Sequence, residues 1–194
     1  MADMWRLFTA IELPSSVLVQ LTEIQDLLKK HTPPGTVRWV NPDGIHLTLK
    51  FLGDVPVTKR DSVEKALAKA VEGHAPFTLS TGKLGCFPDF NRPRVAWIGL
   101  QNHVEALIAL RDAVERLIAP LGYPTEDRPF SPHLTLGRMQ REARRDNLQK
   151  VGELIANTPT PDAQRWPVNG VSLIRSELKP TGAVYTTLFH APLT

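Results

Sequence analysis

Two rhythms of apolar residues alternate along this chain. Short runs that are apolar throughout, or at every second position, predict strands; runs with apolar residues every third or fourth position predict helices. Residues 5–13 (WRLFTAIEL) are apolar and end at Pro14, which predicts a buried strand. Over 15–30, Val17, Leu21, Ile24, Leu27 and Leu28 fall at helical spacing, and Lys29 and Lys30 suit a helix C-terminus. TPPG ends that helix, and 44–53 (GIHLTLKFLG) is again strand-like, bounded by glycines. A second helix over 58–73 turns Val63, Leu67, Ala70 and Val71 inward and stops at Gly73. Residues 77–87 (FTLSTGKLGCF) alternate as a strand does.

The plan then begins again. Residues 94–100 predict a strand, and 102–120 a helix with Val104, Leu107, Ile108, Val114 and Leu117 on its apolar face. A strand over 132–140, a helix over 141–158 and a strand over 166–178 follow. Arg6 and Arg94 lie 88 positions apart, and His46 and His133 lie 87 apart. Element order, element length and offset all repeat, which predicts duplicated halves of approximately 4–90 and 93–180. A final strand over 183–193 lies beyond the repeat. No linker-like segment separates the halves, so the expectation is one bilobal domain over 1–194.

Composition narrows the class. The 194 residues are 42% hydrophobic and 22% charged, as in an ordinary globular domain. Net charge is +3, which suits a phosphate-bearing ligand but does not argue for broad nucleic-acid binding. The single cysteine, Cys86, allows no internal disulfide and no cysteine-based metal cluster. No run of 18 apolar residues occurs and the first residues lack a signal-peptide plan, so the expectations are a cytoplasmic protein and no membrane.

The chemistry enters with a repeated tetrapeptide. HLTL occurs at 46–49 and again at 133–136, using two of only six histidines. Alternation along a strand sets His46 and Thr48 on one face with Leu47 and Leu49 on the other; His133 and Thr135 likewise oppose Leu134 and Leu136. If the halves pack about a pseudo-twofold axis, the two His-Thr pairs meet across one groove. A pair of imidazoles can divide the roles of acid and base near neutral pH, and threonine hydroxyls can hold a charged oxygen between them. That constellation suits in-line displacement at phosphorus without a metal or other cofactor. A zinc site is the competing reading; neither HExxH nor HxH spacing nor an adjacent carboxylate supports it. Arg138 could hold a phosphate through its forked guanidinium, although strict alternation sets it with Leu136, away from the histidines. Its counterpart in the first half is Phe51, and Lys50 is expected on the His46 face. Phe8, Trp39 and Tyr185 are as suited to the core as to stacking on a base. His31, His74, His103 and His190 have no partner motif.

Two HxTx motifs in duplicated halves resemble the two-histidine (2H) phosphoesterase superfamily. More closely, the chain is similar to the RNA 2′,3′-cyclic phosphodiesterases, also called the 2′-5′ RNA ligase family. The resemblance runs through RLFTAIELP, WVNPDGIHLTLKFLG, PRVAWIGL, FSPHLTLGR and VSLIRSELKPTGAVYTTL. It implies an α+β, LigT-like fold in which antiparallel sheets of two pseudo-symmetric lobes line a central groove, with helices outside. It also implies metal-independent hydrolysis of a terminal 2′,3′-cyclic phosphate to a 2′-phosphomonoester. His46 would be the proton donor and His133 the proton acceptor, while Thr48, Thr135 and Arg138 would bind substrate. RNA ends or 2′,3′-cyclic nucleotides are the implied partners, met by a monomer. Ligation of a 2′-5′ bond or 2′-5′ phosphodiesterase activity as the main role, or RNA-end binding without turnover, are the alternatives.

Overall fold

The structure is a computed structural model that describes residues 3–159, 162–179 and 182–194. The first half supplies β1 (Met4–Ile11), α1 (Ser15–His31), β2 (Val37–Trp39), β3 (Leu47–Pro56), α2 (Arg60–Val71) and β4 (Phe77–Phe87). The second supplies β5 (Val95–Gln101), α3 (Val104–Ile118), β6 (His133–Met139), α4 (Arg145–Asn157), β7 (Arg165–Val168) and β8 (Gly170–Lys179), and β9 (Gly182–Pro192) closes the chain. The fold is α+β, with two antiparallel sheets.

The sheets do not follow the two halves of the sequence. One runs β3-β1-β8-β9 and the other β2-β6-β5-β4-β7. The series β3-β1-β8 mirrors β6-β5-β4, so the last strand of each half, β4 and β8, crosses into the sheet begun by the other half. The expected single strand over 166–178 is in fact two. Chain direction changes at Asn169: β7 ends the second sheet beside β4, and β8 joins the first between β1 and β9. Pro167 is tolerated because β7 is an edge strand, where a missing backbone donor costs no ladder bond on its open side.

Helices α2 and α3 pack on one another, α2 touching β8 and β9 and α3 touching β3; α4 covers β4. The apolar stripe of α1 is Val17, Leu21, Ile24 and Leu28, all buried. Leu27, expected inward, is exposed, and Gln25 is buried in its place, because steps of four, three and four residues from Val17 bypass position 27. Its amide nitrogen donates to the carbonyls of Val40 (2.7 Å) and Leu136 (2.8 Å), which ties α1 to the second sheet. β2, three residues with no periodicity to announce it, pairs with β6 at that sheet's edge.

Candidate active site

His46 directly precedes β3 and His133 opens β6, each at the mouth of a buried strand. A short 3₁₀ turn over Pro42–Gly44, capped by the Asn41 side chain, sets the Gly44 carbonyl 3.0 Å from His46 Nδ1. The Ser131 carbonyl lies 2.7 Å from His133 Nδ1. A carbonyl can only accept, so both imidazoles carry their proton on Nδ1 when neutral and leave Nε2 for chemistry. The carbonyl two positions upstream, of Gly44 in one half and Ser131 in the other, fixes the tautomer in both.

Each ring also rests against a pair of aromatic side chains. Phe8 and Tyr185 meet His46 edge-on at centroid distances of 5.7 and 4.9 Å. Phe87 meets His133 edge-on at 4.9 Å, and Trp97 is 6.2 Å away. Two glycines admit these rings: a Cβ on Gly44 would stand 2.9 Å from the Tyr185 ring, and one on Gly85 would stand 2.3 Å from that of Trp97. Burial lowers both histidine pKa values below the ordinary 6.5. At His46 the Gly44 carbonyl and the Glu12 carboxylate oppose that fall. At His133 the Ser131 carbonyl opposes it, but the Arg138 cation reinforces it. The pair is thus geometrically alike and electrostatically unlike.

The alternation that sets Thr48 beside His46 and Thr135 beside His133 then breaks in both strands. Thr9 pairs with Lys50 and Ala10 with Thr48, so Leu49 has no partner on β1. Ala96 pairs with Gly137 and Trp97 with Thr135, so Leu136 has no partner on β5. Each is a bulge, in which one extra residue reverses the facing of all that follow. The bulge at Leu136 turns Arg138 onto the histidine face, where it lines the cleft, against the expectation from strict alternation. The matching bulge at Leu49 turns Phe51 out, 69% exposed, and turns Lys50 in. Lys50 therefore does not share the His46 face. Its ammonium is 2.5 Å from Glu115 on α3 and 2.7 Å from the Pro124 carbonyl, and Glu115 is held in turn by Arg111 at 3.0 Å.

A cleft of about 790 Å³ joins the two motifs; His46, Thr48, His133, Thr135 and Arg138 all line it. The segment 124–131 forms its outer wall, anchored by Lys50 and by Arg111 over the Phe130 ring at 5.3 Å. No three His, Cys, Asp or Glu side chains cluster as metal ligands among the described residues. Among the groups lining the cleft are the two imidazoles and two hydroxyls of the motifs and the Arg138 guanidinium, a set that takes up an oxyanion and moves protons.

A family model described as the 2′-5′ RNA ligase superfamily matches residues 13–180. The chain belongs to that superfamily. An RNA 2′,3′-cyclic phosphodiesterase of Methanothermobacter thermautotrophicus is 34% identical over 183 residues, spanning 94% of this chain and 96% of its own. A protein of the same name from Aquifex aeolicus is 33% identical, spanning 87% and 88%. Among solved structures, E. coli LigT complexed with 3′-AMP superposes with a TM-score of 0.78 at 29% identity over 99% of both chains. A Thermus thermophilus protein gives 0.74 at 33% identity over 97% of both.

The facing of the two HxTx motifs is readable from the sequence one strand at a time. Of the residues expected to stack or pack, Phe8 backs His46 from a small apolar cluster with Ala10 and Ile174, apart from the main core. Tyr185 is partly exposed beside His46, and Trp39 packs on the core side of β2. Phe87, Trp97 and the Lys50–Glu115–Arg111 network were not anticipated. The signals available for them are the small residue Gly85, which makes room for an indole, and the run of a lysine inside an otherwise apolar strand. No helix among the described residues is long and apolar enough to cross a membrane, which leaves β-barrels unaddressed.

Proposed function

We propose that this chain hydrolyses terminal 2′,3′-cyclic phosphates of RNA to 2′-phosphomonoesters, through His46 and His133. The superfamily membership and the name shared by its relatives support the reaction. The observation that carries the mechanism is the matched tautomer: two imidazoles in one cleft, each with Nδ1 bound to a carbonyl and Nε2 free. Phosphorus sits between them, its non-bridging oxygens held by the hydroxyls of Thr48 and Thr135 and by the Arg138 guanidinium. Neutral His133 takes a proton from water as the water oxygen bonds to phosphorus in line with the 3′ oxygen. The bond from phosphorus to that 3′ oxygen breaks, and imidazolium His46 gives it a proton. The ring opens to a free 3′ hydroxyl and a 2′-phosphate, and a proton exchange with solvent restores both histidines.

The roles follow the charges. Glu12 favours the protonated form of His46, as a donor needs, and Arg138 favours the neutral form of His133, as a base needs. Both motifs come from one chain, so a monomer suffices. The buried Cys86 thiol, pushed up to about 12 by desolvation and by Asp89, is inert and suits a reducing cytoplasm. We also read the whole chain as one bilobal unit, because each sheet draws strands from both halves. Ligation is the same ring opening with a 5′ hydroxyl in place of water: its oxygen bonds to phosphorus, the bond to the 3′ oxygen breaks, and a 2′-5′ phosphodiester and a free 3′ hydroxyl result.

The test is incubation of the pure protein with a 2′,3′-cyclic nucleotide in excess EDTA, with chromatographic identification of the product. A 2′-phosphate formed at the metal-free rate is the expected result. A 3′-phosphate would reverse the direction of ring opening, and absence of turnover in a folded protein would leave binding alone.

A further inference from the structure

Register across the second sheet sets four groove-side residues in one row. Arg38 on β2 pairs with Arg138 on β6, Arg138 with Val95 on β5, and Val95 with Phe87 on β4. Residues directly opposite on antiparallel strands share a face, and Arg138, Val95 and Phe87 all line the cleft. Arg38 therefore continues that face one strand further out, past the cleft lining and onto the sheet's edge. Val37 and Trp39 on either side of it turn to the core, as alternation requires.

Two exposed guanidinium groups on adjacent strands are an unfavourable arrangement. Directly opposite residues have Cα atoms only about 4.5–5.5 Å apart, and like charges there repel. Among the described residues neither Arg38 nor Arg138 makes an ion pair. The register is nevertheless pinned. Val40 N–H donates to the Leu136 carbonyl at 3.0 Å, Gln140 N–H to that of Thr36 at 2.9 Å, and Gln25 bridges the carbonyls of Val40 and Leu136. A pair of cations held together without an acid calls for anions from outside.

We propose that Arg38 binds the phosphodiester on the 5′ side of the terminal nucleoside, and so makes the groove prefer an RNA strand over a single cyclic nucleotide. The inference rests on the reading of the cleft given above. With the cyclic phosphate between the histidines and Arg138, the next anion of an RNA end is one nucleoside away, at the 5′ oxygen. A mononucleoside cyclic phosphate carries no charge there. Arg38 is the cation that the edge strand offers at the open side of the phosphate site, and its fork suits the two free oxygens of a phosphodiester.

The experiment compares Arg38→Gln with the unaltered protein on two substrates, a mononucleoside 2′,3′-cyclic phosphate and a short RNA ending in the same group. The RNA is expected to lose roughly five- to twentyfold in kcat/KM, mainly through KM, as one charge-assisted contact is removed. The loss on the mononucleoside substrate should stay below about twofold, since it offers that contact nothing. For the RNA the slope of log kcat/KM against log salt should flatten by about 0.7, the share of one phosphate contact on a single strand. Arg38→Lys should restore most of the loss. Equal losses on both substrates, or none on either, would overturn the proposal. If the unaltered protein turned over neither substrate, the reading of the cleft would fail. Arg38 would still be judged by fluorescence anisotropy of the same RNA, where unchanged binding by Arg38→Gln overturns its role.

Discussion

At the scale of single residues, the roles proposed for the two histidines rest on what surrounds them rather than on what they are. Both are desolvated, so both hold a proton less readily than an exposed histidine. The kcat/KM profile reports the free protein, and on the proposed mechanism it needs His133 neutral and His46 protonated. It should therefore be a bell whose limbs lie to the acid side of those of ordinary histidines. Glu12 and Arg138 bias the two limbs in opposite senses. Glu12→Gln removes a charge that raises the His46 pKa, so the alkaline limb should move to lower pH. Arg138→Gln removes one that lowers the His133 pKa, so the acid limb should move to higher pH. Limbs that stay in place in both variants would show that these charges do not set the roles. The sequence made the histidines and threonines legible through repetition, because a polar residue twice at the same point of a buried strand has little structural excuse. It could not show the Nδ1 contacts with Gly44 and Ser131, which depend on how the chain turns before each strand.

At the scale of elements, the decisive devices are the two bulges. Strict alternation is the right rule for His46, Thr48, His133 and Thr135, and fails one residue later in each strand. A bulge adds a residue without changing the hydrophobic pattern enough to be seen, since Leu49 and Leu136 are buried like the leucines before them. That is why Lys50 and Arg138 change sides relative to the expectation. The bulge at Leu136 has its own support in Gln25, a polar residue beside an apolar helix stripe that gives the Leu136 carbonyl a second donor beside the Val40 N–H. Gln25→Met keeps the length and removes the donor. Stability should fall by about 1–3 kcal/mol, the cost of removing the buried amide donor shared by the Val40 and Leu136 carbonyls. KM for the cyclic phosphate should rise as Arg138 loses its fixed place. Denaturant melts and steady-state kinetics check both; a stability loss with unchanged KM would show that the bulge holds without it.

For the whole molecule, the duplication visible in the sequence and the sheets visible in the structure divide the chain differently. Periodicity reports what each segment is, and is silent about which sheet a strand joins. The last strand of a half has the same pattern whether it closes its own half or crosses to the other. The split of 166–178 into β7 and β8 did leave a trace, the turn-forming pair Asn169-Gly170, inside a run that otherwise reads as one strand. The exchange has a mechanical consequence. Removing 92–194 strips β8 and β9 from the first sheet and leaves β4 without β5, so each half alone exposes unpaired edges and apolar faces. A fragment of residues 1–91 should show neither a cooperative melt nor dispersed amide resonances. A cooperatively folded fragment would mean that the halves are independent domains.

The whole molecule exists, on this account, to bring two imidazoles from duplicated motifs to one phosphorus atom. The most direct test is the rate of cyclic phosphate hydrolysis by His46→Ala and by His133→Ala, with melting temperatures measured alongside. A general acid or base contributes about 100- to 10,000-fold, so each variant should fall by at least roughly two orders of magnitude while remaining folded. Folded variants that both retain more than about a tenth of the rate would contradict the two-histidine mechanism.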